Sequence, residues 1–385
     1  MAHRAYTYRF YPTPEQEVLL RKTIGCARLV YNRALAVRKE AWEHRQEQVG
    51  YGATSALLTE WKRQEDLQFL NEVSCVPLQQ SLRHLQSAFT NFFAGRAKYP
   101  VFKKKQHGGS AEYTKSAFRW KNGQLFLAKC NEPLPIVWSR ELPQGSEPST
   151  VIITLTPSGR WMVSILVEEE IAPLPPTENK VGIDLGLDSL VTLSNGVKVK
   201  PPKRLKAKLR QLRRAQRALS RKQKGSKNRA KARMRVAKIH AQIADARKDF
   251  LHKLTTQLVK ENQLIAVEDL AVRNMIQNHK LACSISDAGW GELVRQLQYK
   301  CEWYGRQLVK IDRWFPSSKQ CSNCGHIAET MPLHIREWEC PMCHAHHDRD
   351  VNAARNILAA GLAVAVCGAT VRPARAGAMK QKSKS

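Results

Sequence analysis

The sequence predicts an α/β domain in its second half, with a four-cysteine metal module inserted into it and a mixed region of helices and strands before it. Two apolar runs of strand length each end in a carboxylate, and paired Cys-x-x-Cys units follow them. A proline-rich linker at 172–176 can continue neither a helix nor a strand. We therefore place the main domain boundary there, with one region over 1–178 and another over 179–362.

The sequence of the first region predicts helices followed by strands. Thr13 is a good N-cap, a proline follows it, and Gln16 completes a capping box, so a helix begins there. Apolar residues at helical spacing continue over about 14–97. Short β-type runs with turn residues between them occupy about 116–170.

Charge is the main compositional signal. Lys and Arg total 63 against 33 acidic residues, which gives a formal net charge of +30. Such a field attracts polyanions, and nucleic acid is the usual partner of a protein this basic. A basic structural or ribosome-associated protein is the alternative that composition leaves open. No apolar run is long enough for a membrane span, so we expect an intracellular protein without a membrane partner.

The excess of charge is concentrated at 201–250. This segment carries 19 Lys or Arg against two Asp, in a helical composition interrupted at Gly225, so it predicts a hairpin of two long helices. A solvated helix face would interleave Glu with Lys, whereas a bound polyanion would relieve the self-repulsion. An exposed hairpin without a partner is the alternative. The basic tail over 363–385 is low in complexity and predicts disorder.

Acidic residues follow three apolar or helical segments. Asp184 ends the run Val181–Asp184, Glu268 and Asp269 end the run from Leu264, and Asp348 and Asp350 precede an Ala-rich helix. Sites in α/β sheets form at strand ends, so these acids can converge. Carboxylates brought close together repel one another and are tolerated around cations.

Clustered carboxylates are hard ligands that select Mg²⁺ or Mn²⁺. Two such ions would activate a water and stabilise the leaving oxygen of a phosphodiester. Each acid taken singly has another explanation: Asp184 as a turn cap, Glu268 or Asp269 in an ion pair, and Asp350 as a helix cap. Their joint occurrence in a basic chain favours a metal-dependent nuclease.

The cysteines predict one structural zinc ion. Cys-x-x-Cys units are separated by 15 residues, which is the spacing of a zinc ribbon, over about 316–346. Replacement of one ligand by a nearby histidine is the alternative. The four predicted ligands are Cys321, Cys324, Cys340 and Cys343.

The order of these motifs resembles the TnpB proteins of the IS200/IS605 transposon group, which are relatives of the type V CRISPR Cas12 effectors. The resemblance covers residues 5 to about 360. It depends on six stretches: YRFYPTPEQ at 8–16, YNRAL at 31–35, GIDLG at 182–186, VEDL at 267–270, FPSSK at 315–319 and DRDVNAARNI at 348–357.

This resemblance implies a RuvC nuclease domain of RNase H-like fold, preceded by a β-barrel wedge and a helical recognition region. It implies that Asp184, Glu268 and Asp350 are the catalytic acids that hold two Mg²⁺ or Mn²⁺ ions. Asp350 is preferred over Asp348 because the family's acid directly precedes x-Asn-Ala. The partners implied are a guide RNA and double-stranded target DNA, in a prokaryotic cytoplasm near the nucleoid.

The function expected is RNA-guided cleavage of DNA beside a short flanking motif. Two alternatives use the same scaffold. One is a DNA-binding transcriptional regulator that does not cut, and a cleavage assay with Mg²⁺ distinguishes it. The other is a RuvC-like resolvase or transposase-associated protein that acts without RNA, and copurification of RNA distinguishes that.

Overall fold

The computed structural model describes residues 2–332 and 334–366, and it divides into two compact units. Residues 2–171 together with 214–241 form the first unit. Residues 172–213, together with those described from 242 onward, form the second. The changeover at 171/172 lies at the start of the proline-rich linker. Most of the tail predicted to be disordered, from residue 367, lies outside the described residues.

The helices of the first unit pack on one another through an apolar core. The capping box predicted at the first helix is confirmed, because Thr13 Oγ1 accepts from the Gln16 N–H at 3.3 Å and Gln16 Oε1 accepts from the Thr13 N–H at 3.2 Å. Leu35, Leu78 and Leu82 are buried in the shared core. The helices are α1 (Pro14–Arg45), α2 (Tyr51–Trp61) and α3 (Cys75–Phe93).

The strands of the first unit form a five-stranded sheet and a separate hairpin. They are β1 (Ala2–Phe10), β2 (Gly109–Thr114), β3 (Phe118–Lys121), β4 (Gln124–Leu127), β5 (Ile136–Val137), β6 (Pro148–Leu155) and β7 (Trp161–Glu169). The sheet is antiparallel in the order β2-β6-β7-β1-β5, and β3 pairs with β4. Alternate residues of β7 are buried against Leu20 and Ile24 of α1. The β-barrel wedge stays a prediction, since β2 and β5 are edge strands in this order.

The second unit contains the predicted α/β sheet. Its strands are β8 (Lys180–Asp184), β9 (Val191–Leu193), β10 (Lys198–Val199), β11 (Leu264–Glu268) and β12 (Gln307–Ile311). The order is β10-β9-β8-β11-β12, in which β8, β11 and β12 are parallel and the other two pair antiparallel. The central strands are apolar because both faces of the sheet are covered.

Helices cover this sheet on its two faces. The helices of this half are α4 (Arg204–Ser220), α5 (Lys227–Glu261), α6 (Val272–Met275), α7 (Ala282–Ala288), α8 (Trp290–Tyr304) and α9 (Arg349–Val366). Leu258 of α5 and Leu293 of α8 belong to one core, and Ile357 of α9 belongs to the other. The basic hairpin expected over 201–250 corresponds to α4 and α5, and its segment 214–241 belongs to the first unit. In the described part of the chain, no helix is long and apolar enough to cross a membrane.

Candidate active site and zinc centre

Two glycine contacts let α9 lie directly on the sheet. A Cβ at Gly182 of β8 would meet the Ala354 carbonyl oxygen at 2.1 Å, and one at Gly361 of α9 would meet Ala266 Cβ at 2.5 Å. Backbone atoms cannot move aside as a flexible side chain can. Glycine at these two positions therefore sets the helix against β8 and β11, with the start of α9 at the carboxyl end of β8.

The three predicted carboxylates come together at this edge of the sheet. Ile183 and Val267 are register partners in adjacent parallel strands, so Asp184 and Glu268 follow them side by side. Burial raises the pKa of Asp184 to about 7, and repulsion from Glu268 and Asp350 adds to the rise. These three acids, which are distant in sequence, therefore lie near one another at the end of the sheet.

Glu268 and Asp269 have different surroundings. The Ser317 hydroxyl donates to Glu268 Oε1 at 2.5 Å, and burial raises the pKa of this carboxyl. Asp269 is half-exposed and forms an ion pair with Arg313 at 2.5 Å. The ion pair that the sequence left open for either acid therefore involves Asp269, while Glu268 faces the cluster.

Asp348 and Asp350 also have different contacts. Asp348 Oδ1 accepts from the Val351 N–H at 3.0 Å and so caps α9, while its Oδ2 lies 2.6 Å from Lys198 Nζ. Burial raises the pKa of Asp348, but the hydrogen bonds from Lys198 and from the Val351 N–H outweigh it and hold the pKa below its usual value. Asp350 lies 3.9 Å from Lys198 and 3.6 Å from Arg336, which leaves its carboxylate more weakly paired.

The donor set at the strand ends suits a hard divalent cation. Asp184, Glu268 and Asp350 are all carboxylates, and burial together with repulsion from the other two raises the pKa of Asp184. A cation among them would remove that repulsion and favour the ionised form. Lys198 and Arg336 approach Asp350, while Arg349 and Lys198 partly offset the rise in the pKa of Asp184.

The four predicted cysteines form one cluster. Their sulfur atoms all lie within 4.8 Å of one another, and across the two pairs Cys321 Sγ is 3.7 Å from Cys343 Sγ, while Cys324 Sγ is 3.6 Å from Cys340 Sγ. This arrangement can bind zinc through four thiolates, as the sequence predicts. Among residues 2–332 and 334–366, no other group of three or more His, Cys, Asp or Glu side chains brings its ligand atoms this close together.

Each cysteine pair lies in a turn of the same kind. The residue directly after the second cysteine has a positive φ, at Gly325 (81°) and His344 (56°). The Gly325 N–H donates to the Cys321 carbonyl at 2.9 Å, and the His344 N–H donates to the Cys340 carbonyl at 2.9 Å. These turns direct the two sulfurs of each pair inward. The strands β13 (Glu337–Glu339) and β14 (His346–Asp348) stand on either side of the second turn and pair with each other.

His347 lies against the sulfur cluster from outside. Its Nε2 is 3.0 Å from Cys321 Sγ, and its ring lies against that of Trp338. Burial lowers the pKa of His347, and neighbouring basic side chains lower it further. The ring therefore suits an N–H donor to a zinc-bound thiolate, a type of support that orients the ligand.

Two buried amides connect the cysteine module to α9. The Asn352 side chain accepts from the Ser322 N–H at 2.9 Å and donates to the Gln320 carbonyl at 2.7 Å. Asn356 donates to the carbonyls of Ser317 and Gln320 at 2.8 and 2.6 Å. The same helix thus carries Asp350 and holds the loop whose Ser317 hydroxyl contacts Glu268.

Sequence reasoning missed several of these supporting residues. Ser317, Asn352 and Asn356 lie in the FPSSK and DRDVNAARNI stretches, and their polar side chains beside apolar runs were the available signal. Lys198 and Arg336 had no signal, because exposed-looking basic residues are abundant in this chain.

Comparisons with known proteins place the chain in a family. A relative from Streptomyces pristinaespiralis, described as "Putative RNA-guided DNA endonuclease", is 60% identical over 97% of this chain and 92% of its own length. The chain belongs to the TnpB family. Escherichia coli K12 InsQ, described in the same words, is 36% identical over 97% of this chain and 96% of its own length.

Family models and one solved structure cover most of this TnpB-family chain. The models "Probable transposase", "Cas12f1-like, TNB domain" and "Helix-turn-helix domain" match residues 164–279, 290–357 and 1–47. The Cas12f1 chain of a Cas12f1–sgRNA–target DNA complex matches with a TM-score of 0.55 and 15% identity, over 89% of this chain and 82% of the other. The chain thus shares the fold of this Cas12f1 chain. Described residues 2–47 form β1 and the single long helix α1, with a short loop after α1.

A basic cleft of about 870 Å³ opens in the first unit of this TnpB-family chain. Gly108 and Gly159 line it with positive φ angles, and a Cβ at Gly108 would meet the Leu155 carbonyl at 2.2 Å. The cationic side chains that line it are Arg21, Arg28, Lys104, Lys105 and Arg233. Such a cleft suits the phosphate backbone of a nucleic acid.

Proposed function

We propose that the protein is an RNA-guided DNA endonuclease that cuts target DNA beside a short flanking motif. One observation carries this proposal: three carboxylates meet at the carboxyl ends of β8 and β11, in a chain 60% identical to a relative described as such an enzyme. A protein that only binds DNA gains nothing from carboxylates placed where they repel one another. Neither alternative function is favoured by a specific contact.

Asp184, Glu268 and Asp350 are the proposed catalytic residues, and together they would hold two divalent ions, Mg²⁺ or Mn²⁺. Ions bound there supply an activated water and charge stabilisation for phosphodiester hydrolysis. Ser317 fixes the Glu268 carboxylate through its hydroxyl hydrogen bond, so this ligand is oriented before the ions bind. Capping by Asp348 fixes the first turn of α9 and thereby the position of Asp350.

Lys198 and Arg336 stand beside Asp350. Their weak contacts with Asp350, at 3.9 and 3.6 Å, leave them able to bind a phosphate oxygen instead. Stronger contacts with Asp348 and Asp188 position their side chains. We assign them to substrate binding at the cut strand.

The basic surfaces are the proposed sites for guide RNA and double-stranded target DNA. We assign the first unit to the wedge and recognition regions, because its basic cleft and the charges of α4 and α5 suit phosphate backbones. Base pairing by a guide then supplies sequence information, while the protein reads a short motif. A partner of this kind places the protein with the DNA of the bacterial cytoplasm.

Zinc is the proposed structural ion of the cysteine cluster. Ligation would close the two turns and hold the β13–β14 hairpin, which leads directly into α9. Because Asp350 is in the first turn of α9, the ribbon supports the catalytic cluster from one side.

The test supplies purified protein with guide RNAs that differ only in the pairing segment. Cuts are mapped on DNA that carries matched and unmatched targets beside a randomised flank, with Mg²⁺ present. We expect cuts at the matched target only, next to one recurring flank motif. Cutting that ignores the guide, or equal cutting by RNA-free protein, would show that the protein is a resolvase. Binding without cutting would show that it is a regulator.

A further inference from the structure

An aromatic pocket of about 450 Å³ lies in the first unit. Its walls come from the end of α1, the loop that follows α1, and the end of α3. The volume falls within the range of small-molecule sites, about 300 to 1,000 Å³. The active site and the zinc centre use none of its residues.

A buried cation forms part of the wall. Arg38 is only 6% exposed, its guanidinium lies 4.9 Å from the centre of the Phe89 ring, and one terminal nitrogen donates to Gln86 Oε1 at 2.7 Å. Its Nε has no hydrogen-bond partner, and no carboxylate pairs with the guanidinium among residues 2–332 and 334–366. The Arg38 Nε–H can therefore donate to an acceptor that a ligand brings.

Three aromatic side chains form an exposed rim. Phe93 is 73% exposed, Trp42 is 50% exposed and Tyr99 is 43% exposed. Phe92 packs between two of them, with ring centres 5.2 Å from Phe93 and 5.3 Å from Tyr99. One exposed ring needs no explanation, but three around one pocket form a patch of the kind that binds a partner.

The charge around the pocket favours an anionic partner. Glu47 is the acidic side chain of the wall, and Arg45 pairs with it at 2.8 Å. Arg96 and Lys98 precede Tyr99 in the sequence. An apolar peptide would use the rings but would bring no acceptor for the Arg38 Nε–H. A nucleotide combines a flat face, polar edges and a phosphate.

We propose that this pocket binds an unpaired nucleobase of a single strand, with the base stacked on the rim aromatics and its polar edge toward Arg38 and Gln86. The inference rests on the proposed function, since it presumes a bound nucleic acid. Stacking alone tolerates any base, because every base has a flat face. The neighbouring basic side chains would hold the flanking phosphates.

The test measures binding of labelled 12-nucleotide probes: an oligo(A) RNA, an oligo(dA) DNA and an abasic DNA of equal charge. Trp42→Ala and Phe93→Ala change exposed side chains, and Phe69→Ala, an aromatic of the same unit outside the pocket, is the matched control. Removing one ring on which a base stacks should weaken binding of the base-containing probes about 5- to 150-fold. Binding of the abasic probe, and binding by the Phe69→Ala control, should be unchanged. The RNA and DNA arms show which strand is preferred.

A second readout locates the base directly. RNA carrying 5-iodouridine should crosslink on irradiation to Trp42, Phe93 or Tyr99, and the crosslink should disappear in the Phe93→Ala variant. Wild-type affinities in both variants, or a crosslink elsewhere, would overturn the pocket while guided cleavage could still stand. Self-association of the wild type that Phe93→Ala abolishes would instead assign the patch to a second copy and overturn the proposal. Absence of any strand binding would overturn the proposed function as well.

Discussion

Replacing Asp184 by asparagine should stabilise the metal-stripped protein. In that state the carboxylate is buried beside Glu268 and Asp350, and burial with repulsion raises its pKa from 3.8 to about 7. One pKa unit corresponds to about 1.4 kcal/mol, so ionising Asp184 in the folded chain costs at most about 4 kcal/mol above neutral pH. Asparagine keeps the shape and removes the charge.

The dependence on pH gives the sign of the effect. The folded protein holds the Asp184 proton more tightly than the unfolded chain does, so stability falls as pH rises from about 4 to about 7 and then levels off. At about pH 8 the full penalty applies, and at about pH 5.5 roughly half of it remains. The advantage of Asp184→Asn should therefore double between these two conditions.

Thermal unfolding in buffer without Mg²⁺ or Mn²⁺, of protein that retains its zinc, measures this advantage. Water penetration and relaxation reduce the upper limit, so we expect a gain of about 1 to 3 kcal/mol, or roughly 1 to 4 °C in Tm for a chain of 385 residues. Asp249→Asn, in a solvent-exposed ion pair with Lys253 on α5, is the control and should leave Tm nearly unchanged. Added Mg²⁺ should raise the Tm of wild type and have little effect on Asp184→Asn. Equal stability of the two proteins at about pH 8 would refute the carboxylate cluster.

Four further outcomes are expected. Glu268→Gln or Asp350→Ala should each abolish cleavage but retain binding of guide and target, as measured by gel shift, and wild-type cutting would remove that residue from the site. Freshly purified, reduced protein should contain one zinc per chain by metal analysis, and Cys321→Ser should lose zinc and loosen the ribbon before chemistry is affected. Asn352→Ala should lower stability by about 1 to 3 kcal/mol and speed zinc release to a chelator, because it leaves Ser322 N–H and the Gln320 carbonyl unpaired. The last change replaces three lysines by glutamine: Lys222, Lys224 and Lys227. It should reduce the slope of log affinity for nucleic acid against log salt by roughly 0.7 to 0.9 for each phosphate that is no longer neutralised. An unchanged slope would show that these lysines face solvent.

The basic hairpin shows why residue type alone does not assign a role. Arg229 was one of the charges expected to face a polyanion, yet its guanidinium donates to the carbonyls of Leu219 and Lys222 at 3.0 and 2.7 Å. It therefore holds the turn between α4 and α5. The side chains of the neighbouring lysines make no such hydrogen bonds in the described chain, and for this reason they are the ones to neutralise. Composition predicted the hairpin but could not separate structural from binding charges.

The strand-end acids could be predicted because burial makes their pattern conspicuous. Burying a carboxylate at the end of an apolar run costs free energy unless a cation or hydrogen bonds compensate the charge, and this holds whatever the tertiary structure. The cysteine spacing is equally local, since each turn needs only four or five residues to present two sulfurs. Both signals survive in a single sequence because the chemistry is contained in short segments.

The supporting contacts could not be predicted because they join segments that only the fold brings together. Ser317 reaches Glu268 across 49 residues, and Lys198 reaches Asp348 across 150. Gly182 has its importance only because the backbone of α9 passes over it. In each case the residue type is common, and its role depends on a partner that no periodicity reveals.

The connection between the ribbon and the carboxylates follows from these contacts together. β14 ends at Asp348, which caps α9 through the Val351 N–H, so the ribbon hairpin and the helix of Asp350 share one backbone turn. Asn352 and Asn356 then tie the first cysteine turn and the Ser317 loop to the same helix. Loosening the cysteine cluster should therefore free two of the three acids at once: Asp350 through its helix and Glu268 through Ser317. Asp184 is held by β8 and should keep its position.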